Sequence, residues 1–253
     1  MNARHQAGIA RLTGLVGFAL VWQLANRWVG DYWVPGIGQV ADRLLQDLRG
    51  GTLLADIVAT TRLLLAGTAI GAVCGCALAC LLRLSPRVDA MMQPLITATM
   101  SIPKLGLVPL LVLWFGTGWA PKVMLVALTV LFIVFALTYA GLVTIDARLT
   151  MMARVLGASP WQLTRSVVVP SVLPFVFTGL QVALPWAVSA ALVAEYLAAK
   201  TGIGHGIEHA RQMSDSVGVY VGIVVATLLV LVCNAALAAL QKATLRHKPQ
   251  EQH

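Results

Sequence analysis

Three stretches of this chain run for the length of a bilayer crossing without one charged side chain: Leu63 to Leu82, Val123 to Ile145 and Ser216 to Gln241. A helix needs about 20 apolar residues to cross the hydrocarbon core. Inside lipid the backbone must satisfy its own hydrogen bonds, which leaves helices or closed barrels as the spanning elements. Continuous apolar runs of this length select the helix. Composition agrees: only 11% of the 253 residues are charged, and 58% are hydrophobic. A soluble domain carries about 25% charged residues, so this chain has too few to cover a water-facing surface. The expected fold class is all-α integral membrane.

Further spans follow with more structure in them. Ser166 to Ala194 is uncharged, and Pro170 and Pro174 place the expected start of its helix near Pro174. Ala90 to Pro121 holds a single charge, Lys104, close to Pro103 and Pro109. Proline removes a backbone donor and clashes with the preceding turn, so this stretch predicts one crossing with a broken middle. Leu12 to Asn26 is short, and a cleaved signal peptide competes there with a retained helix. Trp22 and Trp28 suit an interfacial belt, and Ala25-Asn26-Arg27 makes a poor cleavage site, which favours the retained helix. The expectation is about six transmembrane helices. The corresponding division is an N-terminal helix and outer segment over 1–55, a five-helix core over 56–241 with an inner loop at 144–172, and a basic tail over 242–253.

Charge orients the bundle. With both termini inside, the inner segments hold ten Lys and Arg against three acids, and the outer segments seven against six. The excess of Lys and Arg marks the cytoplasmic side, so both termini are expected to be cytoplasmic. The net charge of +8 is then a consequence of topology and calls for no nucleic acid. In the second span, Gly67, Gly71 and Gly75 recur every four residues, continued by Ala79. Such a row lets another helix approach closely. Cys74, Cys76, Cys80 and Cys233 all lie within apolar runs, where cysteine behaves as a small hydrophobe.

Thr144 to Val172 is the longest inner loop, and local chemistry predicts its shape. Asp146 suits the N-cap of a helix whose Leu149, Met152, Ala153 and Leu156 share one face. Gly157 suits its stop. Ser159-Pro160-Trp161-Gln162 restarts a helix at once, with serine at the cap, proline at the first position and glutamine completing a capping box. Two short helices joined at a sharp bend are expected, fringed by Arg154 and Arg165. The same pattern also suits an ordinary solvated helical hairpin. A helix-turn-helix DNA reader fits less well, since the loop has no room for its third helix.

Met151-Met152-Ala153-Arg154-Val155-Leu156-Gly157, continuing through Ala158 and Ser159 to Val167-Val168-Val169-Pro170, resembles the cytoplasmic loop of ABC importer permeases. That loop reads Glu-Ala-Ala, a glycine three residues later, then nine residues and an apolar triplet ending in proline; Gly157 and Pro170 keep the spacing. Ile102-Pro103-Lys104 through Trp114-Phe115-Gly116, and Val193-Ala194-Glu195 with Gly202-Ile203-Gly204, resemble the nitrate, sulfonate and taurine branch of the same permeases. The resemblance implies a type I permease fold in a bacterial inner membrane, with the bend acting as a coupling helix pair. Implied partners are ABC ATPase subunits, a periplasmic or lipid-anchored solute-binding protein, a second permease copy and membrane lipid. One departure stands out: Met151 occupies the position of the family's acidic residue.

The chain has no Gly-x-x-x-x-Gly-Lys-Ser/Thr loop. ATP and magnesium are therefore expected on the partner ATPase, with no cofactor on this chain and no enzymatic role for it. Gly202, Gly204 and Gly206 read as a flexible turn or re-entrant segment at the outer mouth. Burying a lysine in mid-membrane costs about 2.5–3.5 kcal/mol on insertion scales, so Lys104 should face protein or water. It suits either attraction of an anionic solute or an ion pair with Glu195, which in turn suits a gate or a packing partner. A stand-alone secondary transporter would show internal repeats and acidic relays, and none is evident. A membrane enzyme would have to be built on His205, Glu208 and His209, whose order departs from the His-Glu-x-x-His arrangement.

Overall fold

The computed structural model describes residues 3–83, 85–198 and 200–245. Residues 246–253 of the expected basic tail lie outside them. Among the described residues the chain forms eleven α-helices and no strand. They are α1 (Ala3–Val29), α2 (Ile37–Gly50), α3 (Thr52–Arg83), α4 (Pro86–Met100), α5 (Val108–Phe115), α6 (Trp119–Val143), α7 (Ala147–Val155), α8 (Pro160–Leu163), α9 (Val169–Ala198), α10 (Ile203–Gln212) and α11 (Ser216–Thr244). Four helical stretches are long and apolar enough to cross a membrane: α3, α6, α11 and the run Pro160–Leu197.

The centre of the bundle is the packing of α3, α6 and α9, and glycine permits it. A Cβ added at Gly71 would lie 2.5 Å from the carbonyl oxygen of Ala127, and one at Gly75 would lie 2.6 Å from that of Leu131. Both glycines belong to α3 and both oxygens to α6, so the predicted stripe is the α3–α6 seam. Gly141 of α6 does the same against Phe175 of α9, where a Cβ would meet the ring carbons at 2.7 Å. Without a hydrophobic drive between helices in lipid, such close backbone approach supplies the van der Waals attraction. Leu63, Leu64, Leu125, Val126, Val130, Val134, Ala187 and Ala190 fill the interior around it.

The expected crossing at Ala90–Pro121 is broken as foreseen. α4 ends at Met100, and a 3-10 turn over Lys104–Leu107 precedes α5, which has proline in its first turn. α3 starts at Thr52 and contains the whole uncharged stretch from Leu63 to Leu82, and the boundary at residue 55 falls inside it; its 32 residues span about 48 Å at 1.5 Å per residue, longer than the hydrocarbon core. Two expectations need correction. The fifth span does not start near Pro174. Helix runs without interruption from Pro160 to Leu197: a π-turn over Thr164–Val168 accommodates Pro170, and Pro174 lies inside α9. The Val169 N–H reaches Thr164 O five residues back, and that wider turn relieves the clash Pro170 would make in a regular helix. The segment after Gly202 is α10, an amphipathic helix, and neither a flexible turn nor a re-entrant loop.

The segment between α1 and α2 and the start of α11 are tied together by side chains. Asn26 donates to Val34 O at 2.7 Å, Trp22 to Pro35 O at 2.9 Å and Tyr220 to Trp33 O at 3.2 Å. Arg43 of α2 bridges Asp47 at 3.0 Å and Asp215, the N-cap of α11, at 3.1 Å. The bridge raises the Arg43 guanidinium above its ordinary value, the Asp47 hydrogen bond being the main cause.

Candidate functional site: the Gly157 bend and the Glu195 clamp

The bend at Gly157 is built by local rules alone. Asp146 accepts from Arg148 N at 2.8 Å and starts α7. Gly157 ends it with φ +80°, a left-handed conformation that costs glycine nothing. The Gly157 N–H reaches Arg154 O at 3.0 Å and the Ala158 N–H reaches Ala153 O at 3.0 Å, the paired bonds of a Schellman stop. Ser159 follows immediately. Its N–H donates to Gln162 Oε1 at 2.8 Å and its Oγ accepts Gln162 N at 3.3 Å, the reciprocal capping box.

The second arm is where expectation and structure part. It is no separate short helix, since α8 continues through the π-turn into α9. The bend is therefore joined rigidly to a helix that crosses the bundle. The face shared by Leu149, Met152, Ala153 and Leu156 is largely uncovered, with Ala153 alone half-buried. Leu156 is 84% exposed, Val155 81% and Trp161 71%, with Met151 and Met152 exposed beside them and Arg154 and Arg165 at the fringe. Clustered exposed apolar side chains with a polar rim mark an interaction site. Val155 was not singled out by its spacing, because it lies off the face shared by Leu149, Met152, Ala153 and Leu156.

At the other end of α9, Glu195 is only 2% exposed. It does not pair with Lys104. Its carboxylate accepts from Thr60 Oγ1 at 2.8 and 2.9 Å, and from the Gly204 N–H at 3.0 Å. Thr60 in turn accepts the Ile203 N–H at 2.9 Å, and Asp56 accepts the Gly202 N–H at 2.7 Å. A helix N-terminus leaves its first N–H groups without intrahelical partners and carries partial positive charge. Gly202, the N-cap of α10, has no side chain to satisfy them. Two other helices do so instead: Asp56 and Thr60 from α3, and Glu195 from α9.

The glycines are required for this clamp. Gly202 has φ +115°, and a Cβ there would lie 2.4 Å from the Glu195 carboxyl; one at Gly204 would lie 2.3 Å from Leu192 O. Asp56 and Thr60 escaped the sequence reading, although their four-residue spacing places them on one helical face.

Lys104 lies elsewhere, in the 3-10 turn after the exposed Pro103. Its Nζ sits 5.4 Å from the centroid of the Phe132 ring, within cation–π range. His205 and His209 stand one turn apart on α10, with ring centroids 6.5 Å apart. Among the described residues no three His, Cys, Asp or Glu side chains gather as a metal site would need.

This bundle has counterparts among known proteins. Residues 67–247 match the family described as binding-protein-dependent transport system inner membrane component. The chain belongs to that family. It is a permease component of an ABC importer, the non-enzymatic membrane-spanning part. Relatives include the formylaminopyrimidine transport permease protein ThiX of Halalkalibacterium halodurans, 32% identical over 89% of this chain and 90% of the relative. The putative aliphatic sulfonates transport permease protein SsuC of Escherichia coli is 31% identical over 92% and 90%. The taurine transport system permease protein TauC of the same organism is 30% identical over 87% and 82%. Among solved structures, the inward-facing MetNI methionine ABC transporter aligns with a TM-score of 0.62 at 19% identity over 76% of this chain and 95% of that one. A second, an amino acid ABC transporter with histidines, aligns with a TM-score of 0.61 at 15% identity over 81% and 98%. These two establish the type I permease fold for this chain.

Proposed function

We propose that this permease forms the pathway of an ATP-driven importer for a small anionic solute of the sulfonate or taurine kind. Separate ATPase subunits grip the bend at Gly157 from the cytosol, where both chain termini also lie. ATP and magnesium belong to those subunits. A second copy of the chain completes the pathway, and a periplasmic or lipid-anchored binding protein delivers the solute.

One observation carries this reading: an apolar knob of Met151, Met152, Val155, Leu156 and Trp161 stands exposed on the bend. Exposed apolar surface is costly unless a partner covers it. Because α8 runs on into α9, a displacement of the knob tilts the spanning helix. A packed interface between two discrete arrangements then opens or shuts the pathway. The clamp at Glu195, Gly202 and Gly204 serves as the outer gate, since α3 and α9 cannot separate there without releasing the start of α10. Pro103 sets the break that brings Lys104 to the pathway. Met151 adds apolar contact where relatives carry an acid, so docking on this chain relies less on an ion pair.

The test is purification of the chain with its ATPase subunit, followed by solute uptake in proteoliposomes. Leu156→Asp is expected to lose the ATPase and all ATP-dependent uptake while keeping its helical content. Uptake that continues with no ATPase present would overturn the reading and favour a stand-alone transporter.

A further inference from the structure

Two of the five side chains in the exposed knob are thioethers. Met151 and Met152 are neighbours on α7, 67% and 61% exposed. Residues four apart on a helix share a face, so Met151 stands one turn before Val155 and Met152 one turn before Leu156. The stop at Gly157 and the capping box of Ser159 and Gln162 hold these rows and Trp161 in one bend. Other methionines are differently placed: Met124 and Met92 pack against the buried clusters. The pair at 151 and 152 belongs to the knob itself.

Methionine suits a docking surface because its unbranched, polarizable side chain adapts to an irregular groove. It also brings a reaction that a leucine or an acid in the same place would not. Hydrogen peroxide transfers one oxygen to the thioether: a sulfur lone pair forms the S–O bond as the O–O bond breaks. The proton on the transferred oxygen passes to the departing hydroxide, which leaves as water; sulfur is oxidised and the peroxide reduced. The product is methionine sulfoxide, polar where the side chain was apolar, and a separate reductase for each epimer reverses it. A sulfoxide pressed into an apolar groove loses its water and gains no donor, so it opposes docking.

We propose that Met151 and Met152 form a reversible oxidation site through which peroxide uncouples the permease from its ATPase. With both sulfurs reduced, the knob is apolar and docks. With both oxidised, the same bend is polar, and the permease stays undocked until the sulfoxides are reduced. A docked ATPase covers the pair, so the site reacts in the free permease and is shielded in the assembled one. This rests on the reading of the bend as the ATPase grip, and it adds a condition under which that grip is lost.

The test uses the full-length chain in lipid nanodiscs and its separately purified ATPase subunit. Hydrogen peroxide is the oxidant, and peptide mass spectrometry locates the added oxygen. Met213, as exposed as Met151 and outside the bend, reports that the oxidant reached the protein. Oxidation of the free chain is expected to weaken ATPase binding about a hundredfold, about tenfold for each sulfoxide buried without a donor. Treatment with both methionine sulfoxide reductases should restore it. ATPase added before the peroxide should protect Met151 and Met152 while Met213 is still oxidised. The double variant Met151→Leu, Met152→Leu is scored against itself and should show no loss of affinity on peroxide treatment. Undiminished binding by the oxidised chain, oxidation of Met213 with the pair in the free chain left intact, or an equal loss in the double leucine variant would each overturn the proposal. Absence of binding before any oxidant is added would instead overturn the ATPase reading and the proposal with it, so the two failures are told apart.

Discussion

Thr60 donates its hydroxyl proton to Glu195 while accepting the backbone N–H of Ile203 at 2.9 Å, so one side chain of α3 links α9 to the start of α10. All three groups are buried, and each would lose a partner with the hydroxyl. A buried group left unsatisfied costs about 1–3 kcal/mol.

Thr60→Val keeps the shape of the side chain and removes the bridge. It is expected to destabilise the detergent-solubilised protein by about 1–3 kcal/mol, measured as a lowered midpoint of unfolding. Thr60→Ser, which retains the hydroxyl, should lie close to wild type. A valine variant as stable as the parent would remove the clamp from the account.

The glycine seam makes a steric prediction. Gly71→Ala places a methyl against backbone of α6 that cannot swing aside, and overpacking of this kind costs about 1–3 kcal/mol. Gly38→Ala in α2 meets nothing within 4 Å and should be neutral or mildly stabilising, since alanine favours helix over glycine. Thermal unfolding of the two variants in parallel checks the contrast.

Acid should act on α10 through Glu208. Arg211 holds it by two bonds of 2.7 Å, and that hydrogen bonding is the main cause that pulls its carboxyl down to about 2 from the ordinary 4.5. A carboxyl depressed on folding contributes stability that is complete above pH 4.5 and fades as pH falls towards about 2. Glu208→Gln should therefore unfold earlier than wild type at pH 7, with the gap closing as pH drops below 4.5. A gap that is unchanged at pH 2.5 would contradict this.

The sequence was most legible where structure obeys local rules. Asp146, Gly157 and the Ser159–Gln162 box act within a few residues of themselves, and the Gly67–Gly71–Gly75 row needs only helical periodicity. The π-turn was hidden because the prolines at 170 and 174 read locally as breakers; only the chain upstream decides that the turn widens. The clamp was hidden for a different reason. Asp56 and Thr60 meet Gly202 and Ile203 across more than 140 residues, and nothing near any of them advertises the others. Glu195 and Lys104, each a lone charge in an apolar run, invited pairing with one another. Backbone N–H groups at a helix start satisfied the glutamate instead.

The central claim is that the bend at Gly157 faces the cytosol and is gripped there by an ATPase. Ala158→Cys in a cysteine-free background, probed with a membrane-impermeant maleimide, tests it most directly. The account predicts no labelling in intact cells, labelling in inverted vesicles stripped of peripheral protein, and protection once the ATPase subunit is added back. Labelling from outside intact cells, or no protection by the ATPase, would contradict it.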